Sequence, residues 1–90
     1  MNQSILFPDL QQWNSESQSM VFVAQSQGMN ICCYISAIKL SKLAGLEVSS
    51  ITNEQQAVLI FEQCRFDIED LAEELIEAED FDELGHIQLG

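Results

Sequence analysis

Met20-Val21-Phe22-Val23-Ala24-Gln25-Ser26-Gln27-Gly28-Met29-Asn30-Ile31-Cys32-Cys33-Tyr34-Ile35-Ser36 is the stretch that decides the fold. Two runs rich in Val, Ile, Phe, Tyr and Cys flank Gln27-Gly28. A two-residue loop with a glycine suits a tight hairpin, because glycine accepts positive φ. With that loop, Ala24 pairs with Ile31, Phe22 with Cys33 and Met20 with Ile35. The two-residue strand period puts all six on one face. That face is uniformly apolar and is assigned to the core. The other face is mixed, with Val21, Val23, Cys32 and Tyr34.

The flanking sequence builds outward from this hairpin. Ile5-Leu6-Phe7 reads as a brief strand stopped by Pro8-Asp9, since proline cannot donate to a sheet ladder. Leu10 to Ser17 is polar and reads as a loop pinned by Trp13. Ser36 caps a short helix over residues 37–44, in which Ile38, Leu40, Leu43 and Ala44 are the apolar positions. Gly45 stops it. Thr52 or Asn53 then caps a second helix. Ala57, Phe61, Cys64, Ile68, Leu71, Leu75 and Ala78 recur along it at spacings of four and three, widened by Val58, Ala72 and Ile76. No Pro or Gly interrupts residues 52–84, so one long helix to about Glu79 is the simplest reading. A break near Cys64–Asp67 is the alternative. Residues 85–89 read as a short last strand or a loose tail. The expected fold is α+β. A small antiparallel sheet built on the central hairpin packs against one long amphipathic C-terminal helix and one short helix. Phe22, Ile31, Ile35, Phe61, Ile68, Leu71 and Leu75 are expected in its core.

Ninety residues make a single expected domain, 1–90. A chain of that size buries roughly 60–65% of the surface exposed when unfolded. Nearly half the residues are apolar, so the formal charge of −12 does not imply disorder. The charge repels nucleic acid and anionic membranes and favours a basic partner. The first residues lack a basic n-region with an apolar run behind it, and the longest apolar run, Ile31 to Ile35, is too short to span a bilayer. Three cysteines, an odd number, fit reduced thiols. A cytoplasmic location is expected.

Several spaced stretches resemble one family. Ile5-x-Phe7-Pro8-Asp9 is followed by Trp13, then by Gly28-Met29 and Cys33-x-Ile35-Ser36. Phe61-x-x-x-Arg65-Phe66-Asp67-Ile68-Glu69 with Ala72-Glu73 completes the set. Over essentially its full length the chain resembles the short bacterial proteins grouped as domain of unknown function family 1488. The resemblance implies a compact α+β cytoplasmic domain and supplies no catalytic residues. It also implies that Ile87-Gln88-Leu89 forms a last strand.

Motifs of known chemistry are thin. Ser36-Ala37-Ile38-Lys39 spells S-x-x-K, but its companion elements are absent, and a cap with a solvated lysine explains it. Asp80-x-Asp82-x-Leu84-Gly85 lacks the third ligand of a calcium loop, and the closing glutamate would fall past residue 90. Cys32 and Cys33 point to opposite sides of a strand, so they do not chelate together. No cofactor, metal site or enzymatic activity is expected.

What stands out is charge. From Asp67 to Glu83, ten of seventeen positions are Asp or Glu, with no Lys or Arg among them. Like charges at Asp70–Glu74 and Glu73–Glu77 repel, and acids near a helix C-terminus oppose its dipole. Arg65 stands at the head of this run, beside Phe66. The candidate interaction residues are Arg65, Phe66, Asp70, Glu73, Glu74 and Glu77. The first functional expectation is a non-enzymatic interaction domain offering an acidic helix face to a basic protein partner. A second is a small-molecule binder or enzyme using the Cys32/Tyr34 sheet face. A third is nucleic-acid mimicry, with carboxylates in place of phosphates. Homodimerisation through the mixed sheet face is a further expectation.

Overall fold

The computed structural model describes residues 5–47, 51 and 53–90. In chain order the elements are β1 (Ile5–Leu6), β2 (Gln11–Asn14), β3 (Ser19–Ser26), β4 (Met29–Ser36), α1 (Ala37–Ala44), α2 (Glu54–Gln63), α3 (Arg65–Glu77) and β5 (Ile87–Gln88). The fold is α+β. The hairpin register is the one read from sequence: Ala24 opposite Ile31, Phe22 opposite Cys33, Met20 opposite Ile35. Gln27 and Gly28 both have positive φ, 54° and 79°. This is the backbone that lets a two-residue turn follow the twist of its strands.

The sheet is mixed rather than antiparallel throughout. β1 and β2 both lie antiparallel along the outer edge of β3. β5 pairs with the far side of β4 in parallel, Cys33 opposite Ile87. A parallel partner requires a long crossover, and the three helices supply it. The pairing continues past the strand proper. Leu89 N–H donates to the Tyr34 carbonyl at 2.8 Å, and Ser36 N–H to that of Gly90 at 2.7 Å. The tail is thus a strand, with Ile87 fully buried and Leu89 nearly so.

The expected loop over residues 10–17 contains β2. Three of its four residues, Gln11, Gln12 and Asn14, are polar, so no alternation marks it. The exposed edge of β3 supplies the pairing that side-chain pattern does not reveal. Trp13 packs against the core as expected.

Ser36 caps α1 as read: its Oγ accepts the Lys39 N–H at 3.1 Å. This bond accounts for Ser36 as a helix cap and uses only the backbone of Lys39. Gly45 ends the helix in the left-handed conformation. Leu40 is buried as expected, but Ile38, expected on the same apolar face, is 58% exposed, and Ala37 is buried there instead. Asn53 caps α2, its Oδ1 accepting the Gln56 N–H at 2.9 Å. The alternative cap, Thr52, lies outside the described residues.

The single long helix divides at Cys64, which closes α2 and opens α3 with φ −103° and ψ 13°. The reason is dimensional. A straight helix over 54–77 would run about 36 Å, but an eight-residue strand spans only about 27 Å. Bending at Cys64 keeps both halves on the sheet. It also re-aims the apolar stripe. Ile68, Ala72 and Ile76 are the buried residues of α3. Leu71 and Leu75 are half-buried beside them, and Ala78 is exposed. The helices cover one sheet face, where Phe61 stacks obliquely on Phe22 with ring centroids 5.4 Å apart. Phe22, Ile31, Ile35, Phe61 and Ile68 are buried as expected.

Candidate functional site

The outward side of α3 follows from where its inward side points. With Ile68, Ala72 and Ile76 on the sheet, the 3.6-residue period turns Phe66, Asp70, Glu73, Glu74 and Glu77 away from it. Phe66, Asp70, Glu74 and Glu77 are exposed, and Glu73 is half-buried. Phe66 is 84% exposed, the most of any large apolar side chain on the described surface. The structure therefore brings five of the six candidate residues into one stripe.

Arg65 is turned elsewhere. Its Nε donates to Glu69 Oε2 at 2.9 Å, and its Nη1 lies 3.2 Å from Glu62 and 3.3 Å from Asp9. Gln11 Nε2 also donates to Glu62, at 3.0 Å. One guanidinium thus ties the β1–β2 connection, the end of α2 and the first turn of α3. Its charge is engaged inside this network rather than in the outward stripe. Replacing Arg65 with methionine should cost about 1–2 kcal/mol, since exposed pairs are worth little singly but three carboxylates lose one partner together. Arg65→Lys should recover only part, because an ammonium lacks the planar fork that engages several acids at once. Urea unfolding of the two variants checks this.

The acidic run past α3 is built differently. Asp82 Oδ1 accepts the N–H groups of Leu84 and His86, each at 2.9 Å. Its Oδ2 accepts Gln88 Nε2 at 3.0 Å. These bonds, the one from Gln88 first, hold the Asp82 carboxyl below its ordinary value of 3.8. A depressed folded pKa means the carboxylate's contribution is present above 3.8 and lost as pH falls through the folded value. Amide exchange at Leu84 and His86, taken relative to unprotected amides at the same pH, should therefore quicken on acidification below that point, before the core opens. NMR exchange rates read this directly. Asp82 is thus a loop-former that leads the chain into β5. Beside it, a cleft of about 610 Å³ runs between the hairpin turn and this loop, lined by Met29, Ile31, Ile76, Phe81 and Leu84 among others.

The two hairpin cysteines point to opposite faces of the sheet. Burial pushes the Cys33 thiol up to about 12 and raises that of Cys64, so neither is a ready nucleophile at neutral pH. Cys32 sits at a shallow hollow of about 370 Å³ with Val21, Val23 and Leu10. Tyr34 stacks on His86 with centroids 5.3 Å apart. Among the described residues, no group of three or more His, Cys, Asp or Glu side chains could hold a metal ion. No helix among them is long and apolar enough to cross a membrane.

The chain matches a family described as protein of unknown function, DUF1488, over residues 5–89. It belongs to the DUF1488 family. Among its relatives, a protein of Escherichia coli strain K12 named "Uncharacterized protein YrdB" is 33% identical over 90 residues, covering 99% of each chain. A protein of the same name from Shigella flexneri is 32% identical over the same length. A crystal structure at 1.60 Å of a DUF1488 protein of unknown function from Shewanella loihica PV-4 is similar throughout. It has 50% identity and a TM-score of 0.87, with 98% of this chain and 93% of that one covered. The mixed five-stranded sheet with its three helices is therefore a DUF1488 arrangement.

Two features of the site escaped the sequence. The partners of Arg65 include Asp9, fifty-six positions away, which helical spacing cannot reveal. The Asp82 loop left only a faint signal, a short acidic residue followed by Gly85, and it resembled an incomplete cation loop.

Proposed function

We propose that this DUF1488 chain is a non-enzymatic cytoplasmic interaction domain whose α3 face receives a basic protein partner. The observation that carries this reading is the composition of that face. Asp70, Glu74 and Glu77 stand exposed along α3 with Phe66 at its head, and Arg65 is engaged by Asp9, Glu62 and Glu69. Carboxylates steer a cationic surface into range. An exposed aromatic at the head of the stripe supplies an anchor of the kind that dominates binding energy. Solubility alone would not require the acids to stand at helical spacings where they repel one another and oppose the helix dipole.

Copurification at low salt followed by mass spectrometry tests the reading. A basic protein should be retained and should elute as salt rises past the range where surface charges are screened. Recovery of nothing sensitive to salt would count against it. Displacement of that protein by DNA would place the carboxylates in competition with phosphates, the outcome expected of a nucleic-acid mimic.

A further inference from the structure

Charge is segregated in this molecule. The chain holds fifteen acidic and three basic residues, yet β1 through β5 contain no Asp, Glu, Lys or Arg. One face of the sheet is covered by helices. The opposite face presents Leu6, Val21, Val23, Cys32 and Tyr34, with glutamines at its margins. Leu6 is 61% exposed, and Leu10, at the rim, 57%. Val21, Val23, Cys32 and Tyr34 are only half-buried. Among the described residues no helix lies over them.

We propose that this open face is a homodimer interface, on which a second copy of the chain packs its own open sheet face. The argument for a second copy begins with charge. Two molecules of charge −12 repel, and approach through their α3 faces would crowd carboxylates together. The sheet face is a surface on which like copies meet without burying any charged strand residue. Shape supports it: the hollow at Val21, Val23 and Cys32 can accept apolar side chains from the facing strands. The bordering carboxylate, Asp9, is held at the rim by Arg65. A two-fold arrangement makes the interface self-complementary, each copy giving what it receives.

Area sets the strength. Two strands of eight residues, with the shorter β1, β2 and β5 beside them, cover about 400 Å² per copy. The total of about 800 Å² lies below the area of a stable interface, roughly 1,000 Å² or more, and in the range of transient contacts. The dimer is therefore weak and concentration-dependent. Its salt response is opposite in sign to that of the acidic face, because salt screens repulsion between the copies.

Sedimentation equilibrium from micromolar to millimolar concentration, at about 0.05 and 0.5 M NaCl, tests this. A dimer should form at the upper concentrations and tighten at high salt. Val23→Glu and, independently, Leu6→Glu should weaken it at least tenfold; the exposed Leu6 keeps the test sound if the strand variant folds poorly. In parallel, alkylation of Cys32 by iodoacetamide should slow as protein concentration rises. A monomer at every concentration in both salts would overturn the proposal. So would a dimer that survives both substitutions, or one that loosens with salt.

Discussion

Replacing Phe61 with alanine should remove about 3–5 kcal/mol of folding stability, the range for deleting a buried aromatic. Phe61 is 2% exposed and its ring meets Phe22 across the helix–sheet boundary at 5.4 Å. Phe22 in turn lies 6.4 Å from Phe7. Truncation therefore opens a void between the two layers and breaks an aromatic row that reaches the end of β1. A domain of this length holds roughly 5–13 kcal/mol in all, so the loss is a large fraction. Thermal unfolding should fall by about 15 °C or more. Phe66, five positions on, is the internal control. At 84% exposed, its truncation should change stability by no more than about 0.5 kcal/mol. Similar losses for the two phenylalanines would mean that α2 and α3 do not pack as described.

The second large effect concerns the stripe. The combined variant Asp70→Asn/Glu74→Gln/Glu77→Gln removes three exposed carboxylates of α3. Relief of like-charge repulsion and of unfavourable helix-dipole contacts should leave the fold as stable or more stable, by up to about 1 kcal/mol. Affinity for the basic partner should fall at least tenfold. Phe66→Ala should lower affinity as well, with no change in unfolding. Gain in stability with loss of binding is the pattern of a surface kept at a cost to the fold. If the acids serve solubility alone, the triple variant would aggregate sooner but bind undiminished. Calorimetric titration and urea unfolding on the same samples separate these cases.

The hairpin was legible because local and long-range signals agree there. Alternating Val and Phe, a Gly at the turn and a uniform apolar face all specify one register. The caps at Ser36 and Asn53 were legible for the same reason, since each acts within three residues of itself. The break at Cys64 was open because periodicity continues across it and no Pro or Gly marks it; the length of the sheet decides it. β2 was hidden because its residues are polar and the edge of β3 does the pairing. The parallel β5 depends on where three helices return the chain, which no local pattern encodes. Within the candidate site, the stripe was readable from helical spacing. Pairing of Arg65 with a carboxylate one turn away follows from the same spacing, as with Glu69, whereas Asp9 reaches it only in the folded molecule.

The pH response and the salt response follow from the same division of charge. Carboxylates that build structure, such as Asp82, are tied to backbone N–H groups. Those of the α3 stripe point outward. The first set should be felt in exchange rates near the C-terminal loop, and the second in binding.

The proposed role of the outward face of α3 is binding through its charge. It is tested most directly by measuring the affinity of the recovered basic protein at several salt concentrations, for the wild type and for Asp70→Asn/Glu74→Gln/Glu77→Gln. Affinity for the wild type should fall steeply with salt, and the variant should bind more weakly with a shallower dependence. Affinity that is flat in salt, or identical for the two proteins, would contradict the claim.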